Sequence, residues 1–277
     1  MKVRVAVVQT LTVRESEGRT NTARAFEYID EAAERGAQVV CFPESYPGPW
    51  QAPIKYSPFQ ELSKKAKEKE VYVIAGSAED AGDKRVHATL LFIGPKGELV
   101  GTYRRTTPAG PWIYANEPPW SYNYKEANDI PIFETEFGKV GLLMCSEVYV
   151  PELSRILAIR GAEIVFMPAG TPKGRLWHTW KNLIWSRAIE NLMYTATCQN
   201  IFDPQKEDGL AMVAGPEEIV LESKQPGIFV AELDLDRIQW LRETSDGFPD
   251  QGWRTKPGVL KEWRRPELYR KVLGQHW

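Results

Sequence analysis

The chain has 277 residues, 43% of them apolar and 26% charged, with 35 Lys and Arg against 37 Asp and Glu. That composition excludes disordered, collagenous and membrane-spanning classes, and a net charge of −2 gives no reason to expect nucleic acid or an anionic membrane as partner. Val3 to Thr10 reads as a buried strand and Arg19 to Arg35 as an amphipathic helix, with Ala23, Phe26, Ile29, Ala32 and Ala33 on one face and Gly36 closing it. Ala37 to Phe42 is a second apolar strand that stops at Pro43, which gives the strand-helix-strand unit of a parallel sheet, with Glu44 just past its end. A charged helix from about Pro58 to Glu70 follows, then strands Val71 to Gly76, Ala88 to Ile93 and Leu99 to Arg105.

Residues 106–131 break the rhythm with five prolines, no strand or helix period and many aromatic residues, as expected of a long loop or functional insertion. Strand Lys139 to Met144 comes next, then Cys145, then a helix whose first turn holds Pro151 and Glu152. Strand Ala162 to Met167, helix Leu176 to Leu192 and strand Met193 to Gln199 continue the alternation. Ala211 to Ala214, Ile219 to Glu222 and Gly227 to Asp234 read as consecutive antiparallel strands. No linker or short repeat divides the chain, so the expectation is a single α/β domain over 1–277, with 241–277 an arm used in packing or oligomerisation.

Three cysteines do not form the even framework of a secreted domain, and the N-terminus lacks the pattern of a signal peptide, so the expected home is the cytosol. Cys41 and Cys198 sit inside apolar strands, where a cysteine behaves as a small hydrophobe. Cys145 instead falls between a strand and a helix, where backbone N–H groups favour a thiolate and where ligands bind in α/β sheets. Of the three histidines, His87 and His276 read as surface residues, and His178 is a rival base that opens a Trp-rich helix. No metal-ligand spacing and no Gly-rich phosphate loop is present.

Three strand ends therefore carry candidate chemistry: Glu44, Arg105 and Cys145. The sequences around them, FPES, GTYRRT and GKVGLLMCSEVYVPEL, resemble the three successive motifs of the nitrilase superfamily, the carbon-nitrogen hydrolases. VAVVQT, RGAEIVFMPAG, SRAIENLMYTATCQN and FVAELDLD extend the resemblance over about residues 3–240. It implies a four-layer α-β-β-α sandwich, no cofactor and a homo-oligomer whose dimer packs helices near the nucleophile.

By that resemblance Cys145 is the nucleophile, Glu44 the general base, and the Ser146 N–H an oxyanion donor. The family usually has an aromatic residue where this chain has Ser146. Glu147, Arg187, Glu190 and Asn191 are expected to be structural. Glu117 fits the family's second glutamate, with Glu126 the competitor. Arg105 occupies the position of the catalytic lysine, and a guanidinium can donate hydrogen bonds to an oxyanion but cannot release a proton in turnover. Alternation along a strand lets only one of Arg104 and Arg105 reach the crevice, and Arg105 is the expected one.

Tyr149, Trp112, Trp120 and Trp177 are expected to line the pocket, with a subunit interface as the competing use of the tryptophans. The expected function is hydrolysis of a non-peptide carbon-nitrogen bond in a small molecule, amide before nitrile. A catalytically altered relative, either an acyl transferase or a binding protein, is the alternative that Arg105 motivates.

Overall fold

Strand β1 (Lys2–Leu11) is apolar on both faces because it separates two cores. Val3, Val5 and Val7 belong to one, and Ala6 and Val8 to the other. The computed structural model describes residues 1–15, 18–50, 53–82, 84–107, 124–243, 256–260 and 263–274. In the first sheet β1 pairs in parallel with β2 (Val39–Cys41) and, at its end, with β10 (Asn200–Ile201), and β2 pairs in parallel with β3 (Tyr72–Asp80). Antiparallel β4 (Val86–Ile93) and β5 (Leu99–Arg104) complete that side, so β5 runs in the same direction as β3.

The second sheet has the order β12 (Ile219–Ser223), β11 (Ala211–Ala214), β9 (Tyr194–Thr197), β8 (Ile164–Phe166), β7 (Gly138–Leu142), β6 (Ile132–Thr135). Its central strands β7, β8 and β9 are parallel. Between the sheets, Val5, Val7, Ile74, Leu90 and Phe92 meet Val140, Leu142, Ile164 and Phe166 in one apolar cluster.

On the outer side of the first sheet, helices α1 (Arg19–Glu34) and α2 (Phe59–Lys69) place Ala25, Ile29, Ala32, Leu62 and Ala66 against Val40, Phe42, Val73 and Ala75. Helix α3 (Pro151–Ile159) covers the second sheet. A Cβ built on Gly141 would meet Leu157 of α3 at 3.0 Å, so this position of β7 faces the helix while Val140 and Leu142 face inward. Helix α4 (Trp177–Asn191) lies beside α3 and against β9 and β11. The result is the expected α-β-β-α sandwich.

Two local expectations are corrected. Strands β11 and β12 do form an antiparallel pair, but the third of that run, β13 (Gly227–Asp234), leaves them and pairs antiparallel with β1 of the other sheet from Lys2 to Gln9. Burial of Ala231 and Leu233 in the inter-sheet core holds it there. Strand β6 was not expected; at four residues with partly exposed side chains it carries too weak a period to read.

Of residues 241–277, Leu241 is buried at the end of α5 (Leu235–Glu243), whereas α6 (Pro266–Leu273) has no buried residue. Among the described residues no helix is long and apolar enough to cross a membrane.

The turn that carries Glu44 packs directly on β3. The Gly76 N–H donates to Tyr46 O at 2.6 Å, and a Cβ at Gly76 would lie 2.2 Å from Ser45 N. Gly76→Ala must push this turn away from the sheet. The expected outcome is a loss of about 1–3 kcal/mol in chemical denaturation, with activity reduced at temperatures where the variant stays folded.

Candidate active site

Three strands and the loop after a fourth bring the charged groups together. Glu44 follows β2, Arg105 follows β5, Cys145 follows β7, and Lys173 lies in the segment between β8 and α4. Glu44 and Arg105 are both essentially inaccessible, at 2% and 1% exposure, so their pairing is a desolvated one. Arg105 Nη1 donates to Glu44 Oε1 at 3.1 Å, and Nη2 donates to Ser146 Oγ. Arg104 turns the other way, as strand alternation requires, and its Nε reaches Glu79 Oε2 at 2.5 Å near the surface.

The Glu44 backbone is fixed from the second half of the chain. Asn200 Nδ2 donates to Glu44 O and to Gly170 O, each at 2.9 Å, while Thr12 Oγ1 donates to Asn200 Oδ1 at 2.8 Å. Ser45, the next residue, has φ 61°, and its carbonyl accepts from the Trp50 indole N–H.

Cys145 opens a short 3-10 turn, Cys145–Tyr149, with a left-handed φ of 46°. Its N–H donates to Pro168 O at 2.8 Å, which ties the turn to the chain leaving β8. A non-glycine residue held in that region is strained, and such strain collects at functional sites. The thiol is buried with 6% exposure, and Lys173 Nζ donates to Sγ at 3.3 Å. Lys173 also lies over the Trp180 ring, 4.3 Å from its centroid, and Tyr149 packs edge-on against the same indole at 5.6 Å.

Glu147 stitches two of these elements together. It is fully buried, and its carboxylate accepts from Tyr103 Oη at 2.6 Å, Met144 N at 2.8 Å, Thr106 N at 2.8 Å, Thr106 Oγ1 at 2.9 Å and Thr107 N at 3.2 Å. Burial, reinforced by the Glu147 carboxylate, pushes the Tyr103 phenol well above its ordinary range, so it stays a proton donor in this bond. Tyr124 Oη reaches the Arg105 and Thr107 carbonyls at 2.8 and 3.0 Å, and burial pushes its phenol up as well. Arg187 is likewise architectural, with Nε donating to Val148 O at 3.1 Å and Nη1 to Glu190 Oε1 at 2.8 Å.

The geometry thus joins Glu44, Arg105, Ser146 and Cys145. Trp177 points elsewhere: its indole N–H donates to Gly209 O at 2.7 Å, and Lys224 lies 4.7 Å from the ring. Helical phase makes Trp180, three residues later, the tryptophan beside Lys173 and Tyr149. Tyr149 is 46% exposed. His178 is exposed and packs against Trp177, 5.1 Å between ring centroids. Glu126 is also exposed. Glu117, Trp112 and Trp120 lie outside the described residues. Burial pushes the Cys41 thiol well above its usual range, which suits an inert core cysteine. Among the described residues no group of three or more His, Cys, Asp or Glu side chains is arranged to hold a metal ion.

Lys173 was missed from the sequence. The signal lay in the pairing of β7 with β8, which places Leu142 beside Phe166. The few residues after β8 must then pass the few after β7, so a cation there is a candidate neighbour of Cys145.

Two sheets in this order, with helices on their outer faces and a cysteine at positive φ near a buried Glu-Arg pair at the strand ends, define the nitrilase type of fold. Residues 4–243 match the carbon-nitrogen hydrolase family model, and the chain belongs to that family of enzymes. It is similar to omega-amidase NIT2 of Homo sapiens, 28% identical over 250 residues, covering 80% of this chain and 86% of that protein. A nitrilase of Pyrococcus abyssi is 28% identical over 271 residues, covering 90% and 97%. Among solved structures, a variant of the amidase from Nesterenkonia sp. AN1 superposes with a TM-score of 0.77 at 21% identity, covering 97% of this chain and 96% of that one. That structure shows covalent addition of the acetamide moiety of fluoroacetamide at the active site cysteine. At such identity the structural likeness speaks for the fold.

Proposed function

We propose that the protein is a small-molecule amidase that cleaves a non-peptide carbon-nitrogen bond through a thioester on Cys145, with Glu44 as general base. The observation that carries this reading is the placement of Cys145 at a left-handed turn after β7, its neighbour Ser146 bound by the same guanidinium that pairs with Glu44. Glu44 takes the thiol proton as sulfur attacks the carbonyl carbon. The Ser146 N–H and the Arg105 guanidinium face the charge that develops on oxygen. As the nitrogen departs protonated, Glu44 gives up the proton it took from the thiol; it then accepts a proton from water, whose oxygen attacks the thioester, and returns that proton to sulfur as the acid is freed. Glu117 keeps its assignment from the family resemblance as the second glutamate. The omega-amidase and amidase relatives support amides as the substrate class.

Arg105 supplies charge but no proton, which favours amides over nitriles. In a nitrile the nitrogen itself occupies the place of the oxyanion and must be protonated there. Exposed Ile156 and Ile159 on α3 and Ile189 on α4 support assembly as a homo-oligomer through these helices. Three unpaired cysteines suit the cytosol.

The test is a panel of small amides and nitriles, followed by intact mass for an adduct on Cys145 and by ammonia release. Amides are expected to label Cys145 and release ammonia. Arg105→Lys is expected to keep amide hydrolysis within about tenfold and to raise nitrile turnover, because it restores a proton donor at that position. Absence of any adduct across a broad panel would favour the non-hydrolytic alternative.

A further inference from the structure

Beside Cys145 stands a second cation that the family motifs do not contain. Lys173 Nζ lies 3.3 Å from Sγ, within hydrogen-bonding reach of the atom that would react. Arg105 spends its charge on a buried carboxylate, whereas Lys173, among the described residues, has no carboxylate partner. Its other contact is the face of Trp180, a buried ring at 4.3 Å that holds the ammonium in place without neutralising it. An ammonium donating to sulfur favours the thiolate over the thiol. Once sulfur bonds to the substrate carbon, an ammonium in contact with that sulfur stands on the side of the new bond and near the groups on that carbon.

We infer that Lys173 is a further catalytic residue: its ammonium stabilises the Cys145 thiolate and protonates the departing nitrogen, the part of the work that a guanidinium cannot perform. This rests on the reading of Cys145 as nucleophile. The thiol proton goes to Glu44, the sulfur-carbon bond forms and the carbonyl π pair moves to oxygen. That pair then returns, the carbon-nitrogen bond breaks, and the nitrogen leaves with a proton from Lys173. The neutral amine of Lys173 is reprotonated from the Glu44 carboxylic acid through water. In deacylation water gives a proton to Glu44, its oxygen bonds to the acyl carbon, the carbon-sulfur bond breaks, and Glu44 returns the proton to sulfur. One water is consumed, and one acid and one amine are produced.

The test compares an amide with the p-nitrophenyl ester of the same acyl group, whose leaving group departs without a proton. Lys173→Met is expected to lose roughly 10²-fold or more in kcat/KM on the amide and much less on the ester. Lys173→Arg keeps the charge but not the exchangeable proton, so it should hold the ester rate near that of the unaltered enzyme and still lose the amide rate. Iodoacetamide labelling of Cys145 at neutral pH should slow in Lys173→Met and not in Lys173→Arg. Equal losses on amide and ester in Lys173→Arg, or no loss on the amide in either variant, would overturn the inference. Cys145→Ala separates the two levels: if it still hydrolyses the amide, the nucleophile assignment itself fails.

Discussion

Cys145→Ala is expected to lower amide hydrolysis by about 10⁴-fold or more, because removing a covalent nucleophile leaves only what binding and the oxyanion donors contribute, while costing the fold only about 1 kcal/mol. The side chain at 145 contributes one buried sulfur to the core between the sheets. Alanine bears the φ of 46° no worse than cysteine does, and the N–H that donates to Pro168 O is retained. Glu44→Gln should behave differently on both counts. Activity should fall by roughly 10²–10⁴-fold, the range of a lost general base. Stability should fall too, since the Arg105 guanidinium, 1% exposed, would lose the charge of the carboxylate that accepts from its Nη1. Removing one partner of a buried ion pair costs about 3–5 kcal/mol in systems where it has been measured. Turnover and urea midpoints, measured on both variants, check the contrast. A Cys145→Ala protein that retains a tenth of the activity would remove the cysteine from the mechanism, and a Glu44→Gln protein of unchanged stability would remove the ion pair from the fold.

How far the site could be read before the structure follows from how local each signal is. The strand after which Glu44 falls is legible because Val39, Val40 and Cys41 are apolar in a run, as a strand covered on both faces must be. That only one of Arg104 and Arg105 enters the site follows from the period of two, and the family resemblance picked Arg105. By contrast, nothing within Gly227–Asp234 says that it will pair with β1 rather than β12, since both choices bury the same alternating face. Lys173 fails for the same reason. Its approach to Cys145, 28 residues away in the chain, is fixed by the register of β7 on β8, and its own surroundings, a Thr-Pro-Lys-Gly turn, read as ordinary loop. Trp177 and Trp180 share one buried face of their helix with Ile184 and Ala188, so the apolar pattern does not say which of the two lies beside Cys145. The family resemblance pointed to Glu44, Arg105 and Cys145, which the fold brings to one place, while the groups around them depended on contacts between strands and loops distant in sequence.

Glu147→Ala is expected to be the most destabilising single substitution near the site, at about 3–5 kcal/mol, although Glu147 takes no part in the proposed chemistry. Its two carboxylate oxygens divide five donors. Oε2 serves Tyr103 Oη and Met144 N, and Oε1 serves Thr106 N, Thr106 Oγ1 and Thr107 N. Truncation would leave three backbone N–H groups and a phenol in a buried place without their acceptor, at roughly 1–3 kcal/mol for each group that water cannot reach. Glu147→Gln keeps the shape but turns one acceptor into a donor. Tyr103 can rotate its hydroxyl to accept from the new amide, whereas the Met144 N–H, or the pair from Thr106 and Thr107 if the amide flips, cannot. The expected loss is therefore smaller, about 1–3 kcal/mol, and not zero. Activity should fall with stability, because this carboxylate connects the residues following Arg105 to the turn that begins at Cys145, and a looser connection misplaces nucleophile and cation relative to each other. Urea denaturation of the three proteins, with activity measured well below every midpoint, tests the ordering. If Glu147→Ala unfolds within 1 kcal/mol of the unaltered protein, taken as roughly the worth of one ordinary hydrogen bond, the carboxylate does not hold these segments together.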